Sequence, residues 1–534
     1  MPLVQALKPG PQGPGFTVKR ERKNMPKMGS PFLFGLIALA AGVLALTAWT
    51  PRAMSAPALA PLSEQSQACL DCHQEATPGI VADWKRSAHA RTTPERALKK
   101  AELERRISVS NLPASLAGHA VGCAECHLSR DNSHGDSHEH DAYRVHTVVT
   151  PRDCAQCHPT EVKEFSQNLM SHAWVNLTQN PLYQDLTKQI TSTHTWERGG
   201  FKLTGPSAAT RADSCLYCHG TEVKVTSTRT VETDFGDFSL PVLSGWPNHG
   251  VGRKNPDGSL GSCGACHSRH RFSIKMARKP HTCSECHKGP DVPAYKVYQV
   301  SKHGNIYETM HKDWDFNAVP WKVGQDFNAP TCAVCHLSLL VDTNGNLVAR
   351  RSHRMNDRLE LRLLGLIYAH AHPKSPDTSR IKNKDGLSLP TALSGEPATD
   401  ILIGPQERKK RRAALQKVCL ACHGSSWVEG QFTLLDESVK TTNQATLAAT
   451  RLMMDIWQKG LAQGPASGGS LFDEFVERIW VEQWLFYANT VRLASAMMGA
   501  DYGVFADGRW QLALNLHRLR DWLKTRENKK SPQN

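Results

Sequence analysis

Residues 263–287 read CGACHSRHRFSIKMARKPHTCSECH, a stretch that opens and closes on the pentapeptide Cys-x-x-Cys-His. The chain also carries it at Cys69-Cys72-His73, Cys123-Cys126-His127, Cys154-Cys157-His158, Cys215-Cys218-His219, Cys332-Cys335-His336 and Cys419-Cys422-His423. With Cys263-Cys266-His267 and Cys283-Cys286-His287 this makes eight motifs, which use all 16 cysteines. Two thiols on one helical turn can form thioethers to the vinyl edges of a haem while the adjoining imidazole reaches the iron. Zinc sites and disulfides also use closely spaced cysteines, but neither has a reason to place a histidine after the second cysteine every time. The spacing therefore predicts an octahaem cytochrome c, with eight covalently bound c-type haems.

Composition fits that reading. In 534 residues, only 40% are hydrophobic and 7% aromatic, lean for a conventional core of that size, and haem supplies the missing apolar surface. The formal charge of +14 would suit nucleic acid or a membrane surface. Eight haems, however, bring about 16 propionate charges against it, so the basic residues are read as propionate partners and no nucleic-acid partner is expected.

Thioether attachment takes place outside the cytoplasm, which requires export. Lys19, Arg20, Arg22, Lys23 and Lys27 precede an apolar run from Phe32 to Trp49, followed by Met54-Ser55-Ala56 and Ala58-Leu59-Ala60. Pro57 and Pro61 follow both candidate cleavage points and disfavour cutting. The segment is read as an export signal or a retained N-terminal anchor, and the haem domain as periplasmic in either case.

A serine followed directly or one residue later by a histidine recurs after four motifs, at Ser87-Ala88-His89, Ser171-His172, Ser301-Lys302-His303 and Ser352-His353. Each histidine lies 14 to 17 residues beyond its motif histidine, a length that suits one helix leading to the sixth coordination position of a neighbouring haem. His146, 19 residues after motif two, is a looser version, and His249 and His270 are further candidates for sixth ligands. Motif four has no such follower. His134, His138 and His140 sit in the polar run DNSHGDSHEHD, read as a solvated loop. A haem held by two histidines can only pass electrons, whereas one with a single histidine keeps a position for chemistry.

From about Thr446 to Lys524 the apolar pattern is helical, with Leu452, Ile456 and Trp457 on one segment, Phe472, Phe475, Ile479, Trp480 and Trp484 on the next, and GPASGG between. A helix is also predicted over Arg358 to Ala371, followed by a Pro/Ser/Gly/Lys-rich loop to about Arg412. The expected fold is mainly α with little regular sheet, a haem-packed core and a C-terminal helical bundle. The expected divisions are 1–60 for export or anchoring, 61–435 for the octahaem domain and 436–534 for the bundle.

The stretch GWPNHGVGRKNPDGSLGSCGACHSRHRFS from Gly245 to Ser273, with RKPHTCSECHKGPDVP, SKHGNIY and APTCAVCH after it, resembles the octahaem hydroxylamine oxidoreductase family. The match in motif order covers roughly residues 65 to 525. The resemblance implies a catalytic haem at motif four with His219 as its proximal ligand and an open distal face. It also implies seven haems that relay electrons to a cytochrome c partner, and a homotrimer. In hydroxylamine-oxidising members a tyrosine from a neighbouring subunit is covalently bound to the catalytic haem. Tyr502, in MMGADYGVFADG, is the candidate for that crosslink and Tyr487 the reserve.

The family's pockets hold an acidic residue and a histidine as proton acceptors, and His270 in SRHRFS is the candidate histidine. Its predecessor is Arg269 instead of an acid, a departure that favours anionic nitrite. Oxidation of hydroxylamine is the leading expectation. Reduction of nitrite or hydroxylamine on the same scaffold is the alternative, and a non-catalytic electron-transfer cytochrome the third.

Overall fold

The computed structural model describes residues 58–128 and 133–530. The expected export run and Met54-Ser55-Ala56 lie outside the described residues. Among those described, no helix is long and apolar enough to cross a membrane.

The fold is mainly α, as expected, and sheet is confined to four two-stranded ladders and one three-stranded one among the described residues. Many helices are single turns such as Cys123–His127, Cys215–His219 and Cys332–His336, each coextensive with one motif. A haem-binding pentapeptide needs one turn, because two cysteines three apart must share a helix face and the histidine must follow at once. Packing around the cofactors, not helix length, has to hold such turns in place.

The run expected to be a solvated loop is instead a hairpin. Strand β1 (Ser137–His140) pairs antiparallel with β2 (Tyr143–His146), and Asp141 takes a positive φ of 52° at the turn. Its histidines are held by packing: His146 is 2% exposed, and the His140 ring lies 4.6 Å from that of Phe238. Phe238 belongs to a second, longer hairpin, β3 (Lys224–Thr233) with β4 (Gly236–Ser244).

The helix expected over 358–371 does not form. Leu361–Arg362 pairs with His370–Ala371 in a short antiparallel ladder. Two tertiary contacts override the apolar pattern. The Arg358 guanidinium turns inward and donates to the carbonyls of Val334, Ser338 and Arg350, which ties this segment to motif seven. At Gly365 a Cβ would fall 1.7 Å from the Tyr368 carbonyl, so the chain folds back on itself where a side chain could not fit. The following loop also ends earlier than expected, at Gly404, because Pro405–Leu420 is helical. Its basic run is ordered by Glu407, which pairs with the buried Arg411 at 2.8 Å.

The C-terminal part packs four segments: α1 (Ser425–Gln458), α2 (Phe475–Glu482), α3 (Ala488–Ala496) and α4 (Arg509–Lys530). One turn of π-helix, Gln483–Tyr487, joins α2 to α3. Met453, Ile456, Phe472, Ile479, Trp480, Trp484 and Leu519 form one apolar cluster. Phe475, expected in the same stripe, points outward at 69% exposure. The cluster also takes in Ile367, Tyr368, Leu389 and Leu393, so the segment before motif eight is packed onto the bundle. Residues from Ala58 to Asn534 form one compact unit, and the division expected at 435/436 falls inside α1.

Trp480 is fully buried at the centre of this cluster and its Nε1 donates to Thr450 Oγ1 at 3.0 Å. Replacing it with alanine should cost about 3–5 kcal/mol. Denaturant unfolding of the haem-loaded protein should show the loss, and a midpoint shift equivalent to under about 1 kcal/mol would contradict this account of the core.

Candidate haem cradle and substrate site

All motifs except the first open onto one connected cavity of about 2100 Å³. Its lining includes Cys154, Cys215, Cys263, Cys283, Cys332 and Cys419, one cysteine from each of six motifs, together with Cys126 of motif two. A cavity this large in a compact unit is too big to be a packing defect in a close-packed interior, and it fits chemically bound groups of substantial size.

The motif histidines are oriented for iron. His127 Nδ1 faces the His146 carbonyl at 2.9 Å, His219 Nδ1 that of Ala173 at 3.3 Å, and His336 Nδ1 that of Met355 at 3.1 Å. His73 Nδ1 faces Thr77 Oγ1 at 3.0 Å. A carbonyl holds the proton on Nδ1 and leaves the Nε2 lone pair for a metal. Burial pushes His127 and His267 down to about 4, so both are neutral ligands at ordinary pH.

Two imidazoles facing each other across an ion with bonds near 2 Å place their ring centres ~6 Å apart. Ring pairs at that separation recur. His89 lies 6.3 Å from His158, His353 6.4 Å from His267, and His303 6.1 Å from His423. Each of these three repeat histidines meets the motif histidine of a different motif from the one it follows. His140 lies 6.0 Å from His73 and His270 lies 6.4 Å from His127. The residues present therefore fit c-type haems. Cysteine pairs would carry the thioethers, these imidazole pairs would close five irons, and the group would supply one-electron redox chemistry.

Several expected roles need correction. His270, the candidate proton acceptor of the substrate pocket, stands opposite the motif-two histidine and not beside His219. His146 cannot play the part given to it, because its Nε2 turns to Asp153 at 3.5 Å and its ring stacks on His134 at 3.6 Å. His172 and His249 are not brought into ring contact with a motif histidine among the described residues. His172 Nδ1 faces the Asn168 carbonyl at 3.3 Å, and His249 Nδ1 takes a hydrogen bond from Arg269 at 3.3 Å. Tyr502 sits on the turn Ala500–Gly503 and packs on the cluster of Val297 and Leu493, while Tyr487 packs beside Val491 and Leu512; neither lines the cavity of its own chain, which leaves the expected crosslink to a neighbouring subunit's haem as it stood.

Contacts between motifs trace a branched line. Cys69 lies beside Cys123, Cys154 beside Cys263, Cys283 beside Cys332, and Cys218 beside Cys286. Cys126 lies near Cys154, Cys266 near Cys283 and Cys335 near Cys419. The motifs thus run one, two, three, five, six, seven, eight, and motif four branches from motif six alone. Of the three ends of this line, motifs one and eight have facing imidazoles in His140 and His303. The motif-four histidine has none in ring contact among the described residues.

Polar groups surround that end instead. Burial holds His219 below the ordinary imidazole range, with Asp291 opposing and Arg362 reinforcing the shift. The Arg362 guanidinium lies beside the hydroxyl of Tyr183, whose phenol burial keeps protonated. His372, whose two ring nitrogens are buried without a partner, lines the same cavity and lies near Arg362. The sequence reading missed Tyr183, Asp291, Arg362 and His372. Asp291 was within reach of it, four residues past a motif histidine in HKGPDVP. Arg362 was not, since it was placed on a helix that does not exist.

Residues 257–360 match the multihaem cytochrome family described as carrying the CxxCH motif seven times. Residues 68–148 and 153–236 match the family of cytochrome c554 and c-prime. A solved structure titled "Hypothetical multiheme protein" is 40% identical, covering 88% of this chain and 97% of its own, with a TM-score of 0.82. A "Probable nitrite reductase-hydroxylamine oxidoreductase fusion protein" of Kuenenia stuttgartiensis is 28% identical over 411 residues, which are 72% of this chain and 38% of that protein. The chain belongs to the multihaem cytochromes c. A chain of a reducing HAO-like protein complex of Kuenenia stuttgartiensis, 19% identical with a TM-score of 0.58 over 88% of this chain and 87% of its own, shares the fold. The chain spans about two-fifths of the length of the fusion protein it matches. As a member of this family it is a redox protein with covalently bound c-type haems.

The ring geometry separates His270 from His146 by experiment. In this cytochrome His270→Ala and His353→Ala should each turn one low-spin haem high-spin in electron paramagnetic resonance, whereas His146→Ala should leave the low-spin population unchanged. A high-spin signal in His146→Ala would return that residue to the ligand set.

Proposed function

We propose that this cytochrome carries eight haems and is an oxidoreductase of small inorganic nitrogen compounds, with its substrate site at motif four and nitrite or hydroxylamine reduction as its main direction. The carrying observation is that motif four ends the branched line without a facing imidazole and is flanked by the half-buried guanidinium of Arg362. An end position is where electrons travelling along a line of centres must leave or enter, and the other two ends are closed by His140 and His303. The similarity to the fusion protein, whose name joins nitrite reductase to hydroxylamine oxidoreductase, supports the same substrate class.

The haem held by Cys215, Cys218 and His219 would supply an iron for substrate binding and an entry for electrons. Around it, Arg362 draws an anion into a cavity whose apolar walls strengthen each charge-assisted hydrogen bond. Tyr183 holds the guanidinium in place. Asp291 and the Tyr183 hydroxyl can pass protons, which reduction of nitrite consumes.

A second reading, hydroxylamine oxidation, is favoured by Asp291. A carboxylate beside the site can accept the protons that leave with the electrons. In that direction Tyr502 of a neighbouring subunit would form the crosslink to the motif-four haem, within a homotrimer. In both readings the remaining haems exchange electrons with a cytochrome c, and the protein works in the periplasm, exported or held by its N-terminal segment.

Arg362→Gln should raise KM for nitrite by about 10- to 100-fold, the effect of losing one charge-assisted hydrogen bond. Its KM for hydroxylamine should move less than about 3-fold, since that substrate is neutral. Equal effects on both would remove the anion-binding role. Mass spectrometry of haem-bearing peptides decides the direction from another side. The reductive reading expects no fragment joining the Cys215–Cys218 peptide to one containing Tyr502, and such a fragment in an active preparation would establish the oxidative one.

A further inference from the structure

We propose that His134, His146 and Asp153 form a divalent transition-metal site, zinc by its donor set, separate from every haem. The three residues are the described His/Cys/Asp/Glu group whose ligand atoms all lie within 4.8 Å of one another. His134 Nε2 is 3.2 Å from Asp153 Oδ1, and His146 Nε2 is 3.5 Å from Asp153 Oδ2. Tetrahedral zinc with bonds of 2.0–2.1 Å holds its ligand atoms ~3.3 Å apart. The two rings stack at 3.6 Å and 15°, so the ion seats by turning them apart about Cβ–Cγ.

The surroundings have the form of a built site. His134 is 6% exposed, His146 2% and Asp136 0%. Asp136 Oδ1 stands 3.5 Å from His134 Nδ1, and its Oδ2 accepts from the backbone N–H of Thr147 and Val148 at 3.0 and 2.8 Å. A carboxylate behind a ligating histidine fixes its tautomer and aims the other nitrogen at the metal. Asp153 is fixed as well, since its Oδ2 accepts from Thr150 N at 2.7 Å and Thr150 Oγ1 at 3.1 Å. Neither Nδ1 of His134 nor Oδ1 of Asp136 has a hydrogen bond of good geometry, although both are buried.

Charge points the same way. Asp136 is buried and Asp153 half-buried against two imidazoles, and an uncompensated buried carboxylate is costly. A divalent ion offsets that cost and leaves both rings neutral, with two nitrogens, one carboxylate and water as the fourth ligand.

The position gives such an ion a structural task. Asp153 immediately precedes Cys154 of motif three, and the His146 carbonyl holds His127 of motif two. His146 also ends β2, whose partner β1 carries His140 opposite His73 of motif one. One ion would clamp three haem-bearing segments.

The test is elemental analysis of the full-length haem-loaded protein, purified without chelator or metal-affinity resin. About one zinc per chain is expected beside the haem iron, removed by dipicolinate and restored by dialysis against zinc. His134→Ala and His146→Ala should each fall below about 0.1 zinc with haem iron unchanged, and Asp136→Asn should weaken zinc by about 10- to 100-fold in chelator competition. Less than about 0.1 zinc in the native protein, with no uptake by the stripped protein, overturns the site and leaves a hydrogen-bonded cluster. So does zinc retained in both histidine variants, which would place the ion elsewhere. Should the variants fail to fold, zinc uptake by the stripped native protein and a rise in its melting temperature decide the matter alone.

Discussion

The structure depends on how the motif imidazoles are aimed. A carbonyl or hydroxyl on Nδ1 of His73, His127, His219 and His336 holds each ring so that Nε2 is left for a metal. Once that direction is set, any second histidine must stand at one distance, because two bonds to a single ion admit little variation. Five pairs meet that condition, between 6.0 and 6.4 Å, and His146, though 6.0 Å from His127, turns its Nε2 to Asp153 instead. Much of the fold follows as the means of carrying histidines to those places from other parts of the chain.

This explains an interior that looks underfilled by amino-acid standards. Side chains do not close the 2100 Å³ cavity, and the short helices around it have little to pack against except what the cysteines hold. Conventional apolar packing gathers at the C-terminal end, where Trp457, Trp480 and Trp484 meet edge to face and hold the segment before motif eight in place. The two kinds of core meet at Arg362. Its strand partner is His370, in the stretch packed on the bundle, and its guanidinium serves the motif-four end of the cavity.

Branching gives the site its character. A line of centres in sequence order would place motif four between three and five, as one more relay. The chain instead joins three directly to five and leaves four attached to six through Cys218 and Cys286. A centre at the end of a branch can stop electrons as well as pass them. The guanidinium, phenol and carboxylate of Arg362, Tyr183 and Asp291 are what such an end needs to hold a small polar molecule while charge and protons arrive together.

The sequence by itself determined the cofactor attachment, the mainly α class and the helical C-terminal part, because each is written in local spacing: five residues per motif, 3.6 per turn. It also pointed to His89, His303 and His353, whose partners the structure places in other motifs. Tertiary structure alone decided which imidazole faces which. His140 was hidden in a run whose polarity suggested water, yet alternation along SHEHDAYRVH is the pattern of a hairpin. His146 and His270 sit at similar distances from His127, and only the direction of a ring nitrogen separates them. Asp291 and Arg362 reach His219 from segments about 70 and 140 residues beyond it. Local spacing cannot encode such meetings, since they depend on how separate turns are packed around a shared interior.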